Sequence, residues 1–143
     1  MEKMWERVVK GLAVVGGVIA GAFGGLPVLI RVLAGVMVID YSTGCLAAWM
    51  GKSRKTEGGG ISSKAGFIGL AKKATILLVV LLATILDGAL NAQIFQMAAA
   101  GFYVANEGIS VLENVALLGV PVPAVIREKL EQLKEEKHPK SIE

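Results

Sequence analysis

The stretch FIGLAKKATILLVVLLATILDGAL, residues 67–90, decides the fold class. Lys72 and Lys73 precede a run of Leu, Ile, Val, Thr and Ala that meets no further charge before Asp87. A helix crossing a bilayer needs about 20 predominantly apolar residues at about 1.5 Å each. The run therefore predicts a transmembrane span over residues 70–90. Three further segments have comparable length and character: residues 8–26, ending at Pro27, residues 28–50, and residues 94–119. The whole chain supports this reading, with 143 residues, 54% hydrophobic and only 19% charged. A soluble domain carries about a quarter charged residues. Eighteen glycines fit as well, because glycine is commoner in membrane helices than in soluble ones.

The expected fold is an all-α membrane protein with four transmembrane helices in two antiparallel hairpins, followed by a C-terminal amphipathic helix. Residues 1–119 form the transmembrane domain with a loop at 51–66, and residues 120–143 form a polar tail. Four spans put both termini and the loop on one side of the membrane. Fourteen of the 15 Lys and Arg residues then fall on that side, and Arg31 is the exception. The positive-inside rule makes that side the cytoplasm, so the chain is expected in a bacterial cytoplasmic membrane with both termini cytoplasmic. Trp5, Trp49 and the Lys72–Lys73 pair fall where interfacial aromatics and snorkelling lysines belong. Residues 1–25 also fit a secretory leader, with a basic start, an apolar middle and small residues at 20–22. Cleavage there would leave three spans with unchanged orientation.

Several chemistries are disfavoured. The net charge of +3 comes from basic residues flanking apolar segments rather than from a basic face with exposed aromatics, so nucleic acid is not expected as a partner. Cys45 is the sole cysteine, and His138 stands alone in the tail. No metal, cofactor or catalytic nucleophile site is expected. The loop GKSRKTEGGGISSK lacks the GxxxxGK[ST] pattern and reads as a flexible basic connector drawn to anionic headgroups, with Ser62 or Ser63 capping the next helix.

The fourth segment contains FYVANEGISVLENV, residues 102–115, with two glutamates and two asparagines inside a span. At helical spacing Tyr103, Asn106, Glu107, Ser110, Glu113 and Asn114 form one continuous polar stripe. Shorter stripes run through Asp40 and Thr43 on the second segment and through Thr84, Asp87 and Asn91 on the third. Such stripes either pack together through interhelical hydrogen bonds or line a wet lumen. Asp40 and Glu107 fall near mid-span, while Arg31 and Asp87 share the outer third and form a candidate ion pair. Gly17, Gly21 and Gly25 recur every four residues and offer a close-packing face, to the second span or to another subunit. In the tail, Ile126, Leu130 and Leu133 make a narrow apolar stripe, suited to the membrane surface or to the tails of neighbouring subunits.

Three blocks carry a family resemblance: DYSTG with AAWMGK at 40–52, SSKAGFIGLAKK at 62–73, and YVANEGISVLENVALLGVPVP at 103–123. In this order and separation they resemble the phage lysis and toxin-secretion holins, the group that includes the clostridial toxin-secretion holin. The resemblance implies a non-enzymatic membrane protein that oligomerises and opens lesions, releasing an endolysin or a toxin without required direct contact with it. It supplies no catalytic residues, so the polar positions above are read from spacing alone. The alternatives are a small ion channel or proton-coupled transporter subunit using Asp40 and Glu107 as a relay, and a non-pore membrane scaffold.

Overall fold

The computed structural model describes residues 2–24 and 26–137, which form five α-helices: α1 (Glu2–Gly24), α2 (Val28–Trp49), α3 (Ser63–Leu90), α4 (Phe95–Leu117) and α5 (Ala124–Lys137). The expectations for Gly25, His138 and the end of the tail fall outside these residues. Among the described residues, two helices are long and apolar enough to cross a membrane, Val28–Trp49 and Ser63–Leu90.

Local chemistry sets the helix ends. Ser62 accepts a hydrogen bond from the Ala65 N–H at 3.3 Å, so α3 begins at Ser63, before the apolar run itself. At its far end Asn91 takes a left-handed conformation (φ 49°), and the Ala92 N–H returns to the Asp87 carbonyl at 2.9 Å. This tight stop turns the chain into α4. At the end of α4, Gly119 has φ 85°, the Val120 N–H bonds the Val115 carbonyl and the Gly119 N–H bonds the Ala116 carbonyl. These paired 6→1 and 5→2 bonds define a Schellman stop, and glycine relieves the Cβ clash of that conformation. The loop after α2 is less free than its composition suggests. The Ser53 N–H bonds the Gly59 carbonyl at 2.9 Å, and the Thr56 hydroxyl donates to the Gly60 carbonyl at 2.8 Å.

Helix α4 is the centre of the bundle. Helices α2 and α3 each pack chiefly against it rather than against each other, and α5 packs along it as well. Leu33, Met37, Val80 and Ala100 form the core, joined by Leu29, Ile30, Ile76 and Tyr103. Tyr41 adds a bridge from α2 to α3, its ring and hydroxyl lying over Gly69 and Gly66.

The expected first hairpin does not form as a packed pair. Among the described residues α1 has no extended interface with α2, because Pro27 (φ −51°, ψ 145°) places an extended corner between them. A Cβ on Gly17 or Gly21 would meet nothing within 4 Å, so that face is open. The tail stripe, expected on the membrane surface or against neighbouring tails, has an intramolecular contact here: α5 turns back along α4, and Leu130 lies against Gly108.

Leu33 is fully buried whereas Val38 is 64% exposed on the same helix. Leu33→Ala should lower the unfolding free energy in detergent by about 2–5 kcal/mol, as cavity-forming core truncations do. Val38→Ala should stay within about 0.5 kcal/mol of the parent. Equal effects in a denaturation series would refute this assignment of the core.

Candidate functional site

The core continues into a polar layer along the same three helices. Asp40 lies seven residues beyond Leu33 on α2, Lys73 seven before Val80 on α3, and Glu107 seven beyond Ala100 on α4. Seven residues are nearly two turns, so each polar side chain points where its apolar counterpart on the same helix does. The Lys73 ammonium donates to the Asp40 carboxylate at 2.7 Å and also to the Glu107 carboxylate. Asp40 is 4% exposed and Glu107 6%, so one cation joins two carboxylates away from solvent.

A second tier completes the hydrogen bonding. The buried Asn114 amide donates to Asp40 Oδ1 at 3.0 Å, to the Asp40 carbonyl at 3.2 Å and to Thr43 Oγ1 at 3.1 Å. The Thr43 hydroxyl donates to the Ile39 carbonyl at 2.9 Å. Ser110 faces the Asp40 carboxylate, and the Lys55 ammonium reaches back from the loop to Gly44, one turn beyond Asp40. Every buried side-chain nitrogen and oxygen among the described residues has a partner. Full satisfaction matters because a half-paired buried network costs more than an apolar core.

The proposed stripe on α4 therefore divides. At about 100° per residue, Tyr103, Glu107, Ser110 and Asn114 lie within about 60° of one another, whereas Glu113 lies about 90° off their axis. Glu107 is buried against Lys73 of α3 and Asn114 against α2, Tyr103 joins the apolar core, Asn106 is half-buried and Glu113 is exposed. Glu107 and Glu113 thus sit in different environments.

Asp87 has a different task from the one its depth suggested. Its carboxylate accepts the backbone N–H groups of Phe95 at 3.0 Å and Gln96 at 2.8 Å, capping α4 across the turn. The Gln96 amide in turn donates to the Thr84 hydroxyl at 2.7 Å. No ion pair joins Asp87 to Arg31 among the described residues, and Arg31 is exposed. The free N–H groups at a helix start lie closer to Asp87 and carry the positive end of the helix dipole. The shorter polar stripe on α3 is a staple for the α3–α4 hairpin.

Lys73 is the residue that spacing arguments misplaced, grouping it with Lys72 as an interfacial snorkeller. Adjacent residues point about 100° apart on a helix, so a lysine pair cannot share one environment. A signal was available in the depth. Asp40, Lys73 and Glu107 each lie about ten residues, or about 15 Å, from the helix ends nearest the 50–62 loop. The structure places no group of three or more His, Cys, Asp and Glu side chains to hold a metal among the described residues.

A family model described as the bacteriophage holin family matches residues 17–135. An uncharacterized protein of Clostridium perfringens (strain 13 / Type A) is 36% identical over 135 residues, covering 93% of this chain and 95% of its own. A second C. perfringens protein, described as an uncharacterized 14.9 kDa protein in the nagH 3' region, is 34% identical over 139 residues, covering 96% and 100%. A probable holin of Bacillus phage phi105 is 35% identical over 94 residues, covering 65% of this chain and 64% of the phage protein. No solved structure matches.

Removing the shared cation should be worse than removing all three charges. Lys73→Met should destabilise the protein by about 3–5 kcal/mol, because two buried carboxylates lose their partner. Adding Asp40→Asn and Glu107→Gln should restore most of that loss, while Glu113→Gln alone should change stability by less than about 0.5 kcal/mol. Thermal unfolding of the detergent-solubilised variants measures all three.

Proposed function

The chain belongs to the bacteriophage holin family, and on that premise we propose that it assembles in the bacterial cytoplasmic membrane and opens lesions through which an endolysin or a toxin leaves the cell. The family is not an enzyme family, and its membership together with two apolar helices supports membrane residence. In the lesion-forming assembly α1 and α4 join α2 and α3 as spans, with both termini and the 50–62 loop in the cytoplasm. Copies meet through the open Gly17 and Gly21 face of α1, where small residues let backbones approach closely.

The observation that carries this reading is the buried ion layer. A scaffold needs no ionised groups inside its bundle, and each costs about 2.5–3.5 kcal/mol at the centre of a span. Paired as Asp40, Lys73 and Glu107, they keep the inserted chain closed and dry. Separated by association between copies, they supply a polar wall for water, so the same groups stabilise both the quiet and the open state. Charges at that depth also couple the change to the transmembrane potential, at about 2.3 kcal/mol per full charge per 100 mV.

Two carboxylates on one lysine also resemble what a proton relay requires, which favours a channel or proton-coupled transporter subunit as the second reading. Expression beside a cytoplasmic muralytic enzyme separates the two. The holin produces delayed, abrupt release of the enzyme, and a membrane depolariser advances it. Slow ion leakage with the enzyme retained would overturn the holin reading.

A further inference from the structure

Helix α5 is highly charged, eight of its 14 residues being Arg, Lys or Glu, yet it lies along α4. The contact is specific. A Cβ on Gly108 would stand 3.1 Å from Leu130 Cδ1 and 3.3 Å from Cδ2, so the leucine beds closely against the glycine and a larger residue would crowd it. Gly108 follows Glu107 directly in sequence, and α5 therefore reaches the level of the ion layer. It approaches from the side of α4 away from that layer, since Gly108 points about 100° from Glu107 and about 160° from Ser110.

Depth then sets up a conflict. A helix with eight charges cannot enter hydrocarbon, where each costs about 2.5–3.5 kcal/mol. With α5 seated, the half of α4 beside it, from Gly108 to Leu117, must also stay outside the hydrocarbon. The remainder, Phe95–Glu107, is about 20 Å long, short of the roughly 30 Å that a spanning helix must cover. All 23 residues of α4 reach about 35 Å, which suffices. A seated α5 and a fully spanning α4 therefore exclude each other.

We propose that α5 is a strap that holds the protein in a shallow, inactive state, and that release of Leu130 from Gly108 lets α4, together with α2 at the same level, sink across the bilayer. This rests on the holin reading above, in which α4 spans the membrane in the assembly. Release carries Glu113, exposed in the strapped state, into the membrane. An ionised glutamate at that depth needs water, which a lesion shared between copies supplies. Strap release is thereby coupled to assembly, and an isolated copy stays strapped.

The test uses the full chain in bacterial membranes, co-expressed with a cytoplasmic muralytic enzyme. Leu130→Asp unseats α5 without altering α4, and Gly108→Leu crowds the contact from the other side. At matched membrane levels, both should bring lysis forward relative to the parent. In a Cys45→Ala background, Glu113→Cys should label readily with a membrane-impermeant maleimide in inverted vesicles. Adding Leu130→Asp should cut that labelling severalfold in vesicles prepared before the onset of lysis, because the neutral thiol, unlike Glu113, sinks without lesion water. A Gly108→Cys/Leu130→Cys pair in the same background, closed by a thiol oxidant, should block lysis until reductant is added. Unchanged lysis time and labelling with Leu130→Asp would overturn the strap, as would lysis on schedule by the closed pair. Failure of the parent itself to release the enzyme would count against the holin reading instead.

Discussion

One ammonium between two carboxylates constrains the rest of this molecule. Burying an ion costs several kcal/mol, and the cost is recovered only when geometry is good and the remaining lone pairs are filled. Lys73 meets that condition only if α2, α3 and α4 hold one register, since Asp40 and Glu107 come from different helices. Asn114 and Thr43 fill the remaining hydrogen bonds around Asp40, which ties α4 to α2 a second time. Apolar packing around Leu33, Met37, Val80 and Ala100 tolerates sliding by comparison, because dispersion is not directional. The polar layer turns three greasy helices into one specified arrangement.

Helix α4 carries this arrangement because both of its sides are occupied. One side holds Glu107, Ser110 and Asn114 against α2 and α3, and the other holds Gly108 against Leu130 of α5. Its composition follows from that position: a glycine where Leu130 of α5 approaches, and polar residues where the ion layer lies. Helix α3 shows the opposite balance. Leu78, Leu81, Leu82 and Ile85 are more than half exposed, as expected for a helix whose outer surface meets hydrocarbon instead of protein.

Membership of the holin family gives these features a purpose without assigning any residue a role. Under the lesion-forming function proposed above, the protein remains inserted and harmless before it opens, and such behaviour needs an element with two discrete packings. The ion layer and the α4–α5 contact are both of that type, since each satisfies groups in one arrangement that another arrangement would present to water or to a second copy.

Much of the architecture was legible from hydropathy and end signals. The apolar runs, the cap at Ser62 and the turn near residue 91 come from local rules, and local rules need only neighbouring residues. The polar positions on α4 were equally visible, because helical period is a property of one helix. What they touched was not visible. Depth along a span grouped Arg31 with Asp87, yet the N–H groups that begin α4 were nearer partners. Hydropathy placed Lys73 at the interface, but the side chain turned inward to two carboxylates 33 and 34 residues away. The tail stripe suited the membrane surface or a neighbouring tail, and nothing in its spacing pointed to the contact of Leu130 with Gly108. By itself the sequence determined which segments are helical, which are apolar and which faces are polar, because those properties repeat within a single helix. Only the tertiary structure decided which charge pairs with which, and where α5 rests, because those outcomes depend on the angles and depths at which separate helices meet.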